Sequence, residues 1–304
     1  MTCKKLSSQV VKLEAGEKVK LLIISDVHFD SLQCDRESLK KHLEQAKESG
    51  AKVLCIGDWF DVMGCWFDPR SKSNDIDPRY IVQGRTYLDL VVEDSYEFLK
   101  PYAGNLLFLS EGNHEYEIKR RRDVDILERL TFMLSQHDPV HKLDYAGYLI
   151  TALSRRPGNK GMGCTRQHIT KFHHGTGGGA IRSKDVLKSQ IDTMKYPDAD
   201  LIVSGHSHNK IHDPSNVVEK ISPMGKVYHS AKYWLKLGTY KKSATGNGYE
   251  VMRGLMPSKM GGWWVDLDYV RVQKTDPVGQ KKEIIYIDTT ITEAKPVVYH
   301  QDND

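Results

Sequence analysis

In 304 residues, 44 Lys and Arg stand against 40 Asp and Glu, so a net charge of +4 gives only weak grounds for a polyanionic partner. The five cysteines, Cys3, Cys34, Cys55, Cys65 and Cys164, are odd in number, scattered and without a Cys-x-x-Cys pair, which reads as reduced thiols in a cytosolic protein. No run approaches the roughly 18 apolar residues of a membrane span, and Met1 to Lys20 alternates polar and apolar residues where a signal peptide would be continuously apolar. The expectation is a soluble, cytoplasmic, single-domain protein over residues 1–304 with no membrane partner, its core running from about 19 to 290.

The apolar run Val19 to Ile24 predicts a buried strand that ends in Ser25-Asp26-Val27-His28. Asp35 then opens a helix with Leu39, Leu43 and Ala46 on one face and Gly50 as its stop. Lys52 to Ile56 is the second strand, ending in Gly57-Asp58-Trp59-Phe60-Asp61. The aromatic, Asp-Pro-containing stretch 59–79 reads as an excursion that fits a lid or a pocket wall, and a helical pattern from about Tyr80 to Leu99 stops before Pro101. Leu106 to Leu109 is the next strand, closed by Gly112-Asn113-His114-Glu115. The basic run Lys119 to Arg122 is either a solvated face or a phosphate-contacting patch, and a helix carrying Ile126, Leu127, Leu130 and Leu134 follows it.

Two strand-like runs between Gly147 and Phe172 flank a basic turn at Arg155 to Gly161, and the second ends in His173-His174-Gly175. A glycine-rich loop then feeds a helix with Val186, Leu187, Ile191 and Met194; it lacks the Lys-Ser/Thr ending of a P-loop. Leu201 to Ser204 is a strand ending in Gly205-His206-Ser207-His208. Beyond it come strands at about Lys226 to Leu237, Trp263 to Val272 and Glu283 to Thr290, interrupted by a second excursion at 241–262; the stretch 241–264 is a candidate lid or subunit interface. Strands alternating with helices make the fold α/β, and in such folds chemistry sits at the carboxyl ends of strands.

Those strand ends carry carboxylates, imidazoles and one amide, a donor set suited to borderline divalent cations. The count implies two ions: Asp26, His28 and His208 for one, Asn113, His174 and His206 for the other, with Asp58 bridging. Manganese is the first expectation, with zinc, iron, magnesium or nickel as alternatives. Such a pair clamps a phosphate and delivers a shared hydroxide in line with the leaving group. His114 is then free to protonate the departing oxygen, and Asp61 is placed to hydrogen-bond His114 and aim it. In a strand His173 and His174 face opposite ways, so only one enters the site; His174, next to Gly175, is the choice.

With Asp26-x-His28, Gly57-Asp58-x-x-Asp61, Gly112-Asn113-His114-Glu115, His174-Gly175 and Gly205-His206-x-His208 in hand, the chain resembles the calcineurin-like metallophosphoesterase superfamily from about residue 19 to 240. The resemblance implies two packed mixed β-sheets flanked by α-helices, a four-layer sandwich with a dinuclear metal site at one end, and a His114–Asp61 pair. Protein serine/threonine phosphatases of this superfamily carry Arg-Gly after the second motif, where this chain has Val62-Met63. The Gly-Asp-Trp-Phe-Asp form is instead similar to the DNA-repair exonuclease branch and to lipid A pathway pyrophosphatases. The leading expectation is a phosphodiesterase acting on a nucleotide or nucleic acid, supported by Lys119 to Arg122, Arg155-Arg156, Trp59, Trp66 and Phe67. A phosphomonoesterase or small-molecule pyrophosphatase is the alternative, and a non-catalytic scaffold of the same fold is the third.

Overall fold

The computed structural model describes residues 1–62, 77–81, 85–155, 164–177, 186–222, 224–242, 259–275 and 279–297. Most of the two expected excursions, with Cys65, Trp66 and Phe67, therefore lies outside the described residues.

Six strands form one sheet. Its centre is β3 (Lys18–Ile24), β4 (Lys52–Ile56), β5 (Leu106–Ser110) and β6 (His141–Leu143), all parallel, extended on the β3 side by the antiparallel pair β12 (Trp263–Thr275) and β13 (Lys281–Glu293). The β3 run is apolar without alternation because both its faces are covered: Leu22 and Ile24 pack beneath helices, Leu21 and Ile23 against the second sheet. Three helices cover the outer face: α1 (Arg36–Ser49), α2 (Tyr87–Leu99) and α4 (Ile126–Leu134). Helix α1 starts where the Asp35 carboxylate accepts the Ser38 amide and stops where Gly50 turns left-handed at φ 65°, as its sequence predicts. Helix α2 begins at Thr86, later than the pattern suggested; its hydroxyl caps Asp89, and Tyr80 belongs to a separate 3-10 turn, Pro78–Tyr80.

The second sheet has seven strands in the order β1 (Thr2–Ser7), β2 (Val10–Ala15), β7 (Ala146–Ser154), β8 (Thr165–His173), β9 (Leu201–Ser204), β11 (Val227–Lys236) and β10 (Ile211–Ile221). Both sheets mix parallel and antiparallel pairs, and α5 (Val186–Lys195) packs on the outer side of the second, where Trp234 bonds through its indole N–H to Asp192. This is the four-layer α/β sandwich. Among the described residues no helix is long and apolar enough to cross a membrane, and Cys3, Cys34, Cys55 and Cys164 are free thiols.

Several local expectations change. Strand β2 brings Val11 and Leu13, both fully buried, into the core ahead of residue 19. Strand β10 was not expected, because Asp213 to Asn216 carries a register shift and a proline that hide its alternation. Trp59 is no pocket wall: it is 1% exposed, stacks on Phe29 and donates to Ser95. Trp263 and Trp264, from the supposed interface stretch, are buried in β12.

Candidate metal centre

The carboxyl ends of β3, β4, β5, β8 and β9 meet at one pole. Holding five ligand-bearing turns this close requires unusual backbone: Asp26, His28, Asp58, His206 and His208 all have positive φ, between 49° and 73°. Such conformations cost a non-glycine residue about 1–2 kcal/mol each, so the rest of the fold must impose them. The motif glycines do a different job from ending strands. A Cβ on Gly112 would lie 2.1 Å from Asp58 Oδ1, and one on Gly205 would lie 2.1 Å from Ser25 Oγ. Their bare backbones let neighbouring turns touch.

Among the described residues three groups of donor atoms lie within 4.8 Å of one another: Asp26, His28 and His208; His28, Asp58 and His114; and Asp58, His174 and His206. Asn113 joins the third, its Oδ1 lying 3.1 Å from His174 Nε2 and 2.7 Å from His206 Nδ1. Ligand residues predicted from sequence are thus gathered in one place, and His174, fully buried, points into it. His173 faces away, its Nδ1 accepting the Gly175 amide.

The imidazoles are oriented from behind. His174 donates from Nδ1 to the Ile56 carbonyl at 2.8 Å, turning Nε2 toward Asp58 Oδ2 at 3.1 Å. His28, held neutral by burial that lowers its pKa to about 4, sets Nδ1 2.8 Å from Asp61 Oδ1 without ideal hydrogen-bond alignment and turns Nε2 to His208 Nε2 at 3.3 Å. His114 donates from Nδ1 to the Asp61 main-chain carbonyl at 2.5 Å. Imidazole nitrogens facing one another, and an amide oxygen facing two more, are arrangements that cations between the lone pairs satisfy. The donor set and its convergence fit divalent metal.

His114 and Asp61 are hydrogen-bonded, but not through the Asp61 side chain. The link runs through the Asp61 backbone, because the Asp61 carboxylate is engaged by His28 and by Lys241 Nζ at 2.9 Å. Nor is His114 set apart from the ligands: it belongs to the middle donor group, and its Nε2 is 3.9 Å from Asp58 Oδ2. It sits in the first turn of helix α3 (Asn113–Arg122), so the central turn is itself a helix start.

Burial opposes the charge on Asp26, but the His208 hydrogen bond and His174 outweigh it and bring the carboxyl down to about 2. Burial likewise works against charge on His174, yet Asp58 lifts it to about 9. Behind them Glu115, raised to about 7 by burial and by Asp58, accepts the amides of Gly112, Asp58 and Phe60 and ties the β4 and β5 turns together. Asp30 does the same for Asp61 and Val62. Thr239 and the Tyr240 amide bind the Asp26 carbonyl. Of these supports, only Glu115 had a signal in the sequence, three residues after the helix cap.

Four described members of the basic patches are paired with carboxylates, and residues 156–161 of the second patch lie outside the described residues. Lys119 pairs with Glu111 and Asp125, Arg120 and Arg121 with Glu117, and Arg155 with Glu17.

A pole of oriented imidazoles and carboxylates between two sheets makes a candidate metal-binding site. The calcineurin-like phosphoesterase family matches residues 19–210, and the chain belongs to that family. No curated protein matches significantly. Similar solved structures include Vps29 from Chaetomium thermophilum, at 13% identity with 89% of this chain and 96% of that chain covered and a TM-score of 0.34. Zinc-complexed Vps29 from Entamoeba histolytica shows 11% identity, 91% and 100% coverage and a TM-score of 0.34. A metallophosphoesterase from Sphaerobacter thermophilus shows 12% identity, 92% and 90% coverage and a TM-score of 0.32.

Proposed function

We propose that this chain is a dinuclear, metal-dependent phosphohydrolase of the cytoplasm, a phosphodiesterase acting on a nucleotide or nucleic acid. The observation that carries the reading is the linkage of the three donor groups through His28 and Asp58, each of which belongs to two of them. Asp26, His28 and His208 would hold one ion and Asn113, His174 and His206 the other, with Asp58 between, manganese being the first expectation. Cations held there would supply Lewis acidity toward phosphate oxygens and toward a water molecule. His114, fixed through Nδ1 by the Asp61 carbonyl, directs Nε2 to the Asp58 side of the pole, where it can carry a proton for the leaving oxygen. Asp61 keeps the His28 ring turned so that Nε2 faces inward. The diester preference rests on the Gly57-Asp58-Trp59-Phe60-Asp61 form of the second motif.

The test is manganese-dependent hydrolysis of bis-p-nitrophenyl phosphate beside p-nitrophenyl phosphate on one preparation. Faster turnover of the diester is expected. Preference for the monoester would replace this reading with a phosphomonoesterase, and no turnover of either by metal-loaded protein would favour a scaffold.

A further inference from the structure

Beside the metal pole one turn adopts a backbone that its own residue resists. Val62, which follows the second motif, has φ 44° and is 2% exposed, and a β-branched residue rarely takes that left-handed conformation. The peptide joining it to Asp61 is a planar trans unit, so the Val62 N–H and the Asp61 carbonyl point in opposite directions. That carbonyl is where His114 Nδ1 donates, at 2.5 Å. Whatever grips the Val62 amide from one side therefore aims the carbonyl at the His114 ring on the other.

Asp30 supplies the grip. Its Oδ1 accepts the Asp61 amide at 2.6 Å and its Oδ2 the Val62 amide at 2.8 Å, so one carboxylate fixes two successive peptide groups. The Tyr87 hydroxyl, from the first residue of α2, donates to the same Oδ2 and fixes the carboxylate in turn. Asp30 is 2% exposed and, among the described residues, belongs to none of the three donor groups of the pole. A carboxylate suits this place because it offers two acceptor oxygens, whereas an asparagine would turn its NH2 toward one of the two backbone donors. Burying that charge costs free energy, which charge-assisted bonds from two amides and a hydroxyl offset.

From this chain of contacts we infer that Asp30 is a positioning residue for the hydrolysis proposed above. It holds the strained Asp61–Val62 peptide so that His114, anchored through Nδ1, keeps Nε2 on the Asp58 side of the pole. Without both acceptors Val62 relaxes by rotating that peptide, and the carbonyl leaves Nδ1. The kinetic consequence rests on the hydrolytic reading; the anchorage of the ring does not.

Nitrogen–proton correlation NMR of the imidazoles in the EDTA-treated full chain tests the anchorage, the His114 signal being identified by its loss in His114→Gln. A slowly exchanging Nδ1–H is expected in the wild-type chain, lost in Asp30→Asn and partly recovered when Val62→Gly is added, since glycine takes the left-handed φ without strain. Tyr87→Phe, a milder release of the same carboxylate, should speed exchange of that proton about threefold or more, and it keeps the test open if Asp30→Asn does not melt cooperatively. With manganese, Asp30→Asn should lower turnover of diphenyl phosphate about tenfold more than that of bis-p-nitrophenyl phosphate, because p-nitrophenolate leaves without needing a proton. No protected Nδ1–H in the wild type, one indifferent to both Asp30→Asn and Tyr87→Phe, a loss that Val62→Gly does not recover, or equal losses on the two diesters would each overturn the assignment. If the wild-type chain cleaves neither diester the hydrolytic reading fails, and the NMR result still decides whether Asp30 anchors the ring.

Discussion

His173 and His174 are neighbours in sequence and belong to opposite electrostatic surroundings. His174 enters the metal pole, where Asp58 outweighs burial and lifts its pKa to about 9; His173 faces the outer side, where burial and then Lys188 and Lys171 lower it to about 4. One peptide bond separates a ring whose strongest charged neighbour is a carboxylate from one whose charged neighbours, among the described residues, are mainly lysines. The metal pole is therefore cooperative, since removing one partner strands another, whereas the outer face should tolerate the loss of a charge.

Breaking the pole at its shared carboxylate should have the largest effect. Asp58→Asn should lower manganese-dependent phosphodiester turnover by well over ~100-fold, beyond what loss of an outer support costs a metal site; turnover within tenfold of wild type would remove Asp58 from the centre.

The two histidines give the next test, by pH. His174 has a folded pKa above its unfolded value, so in metal-free protein its contribution is complete below about pH 6.5 and is lost as pH rises through about 9. His173 has a folded pKa below its unfolded value, so its contribution is complete above about pH 6.5 and is lost as pH falls through about 4. Denaturant melts across pH should show an alkaline limb of up to about 3 kcal/mol removed by His174→Gln, and a smaller acid limb, reduced by solvent screening, removed by His173→Gln. Limbs exchanged between the two variants would invert the assignment.

Asp61→Asn should weaken metal binding by about 10- to 100-fold through loss of the His28 contact, read by calorimetry with manganese. A change in turnover with metal affinity intact would return Asp61 to a role through His114. The smallest effect is expected on the outer face: Lys171→Met should leave stability within about 1 kcal/mol of wild type, because among the described residues the buried ammonium meets only aromatic rings and no carboxylate is left stranded. A loss of several kcal/mol in a denaturant melt would show the ammonium to be part of the core.

The candidate ligand positions other than His174 were legible because each follows a continuous apolar run, and such runs mark strands buried on both faces, as β3 and β5 are; His174 follows the more mixed strand β8. Helix α1 was equally plain, since its cap, apolar spacing and terminal glycine agree. Strand β10 was not, because a proline and a register shift interrupt it, and neither was the burial of Trp59, whose partner Ser95 lies 36 residues away.

By itself the sequence determined which side chains stand at strand ends, because local periodicity and glycine placement are encoded within a few residues. It determined the α/β class for the same reason, and the residue types determined that the pole suits divalent metal. Only the tertiary structure decided how those side chains are held: that Asp61 serves His28 and Lys241, that Glu115 binds three amides, and that five candidate ligand residues adopt left-handed backbone. It alone placed Lys171 between two tyrosines from different elements. These are contacts between segments tens to hundreds of residues apart, fixed by sheet register and close packing, and no local pattern carries them.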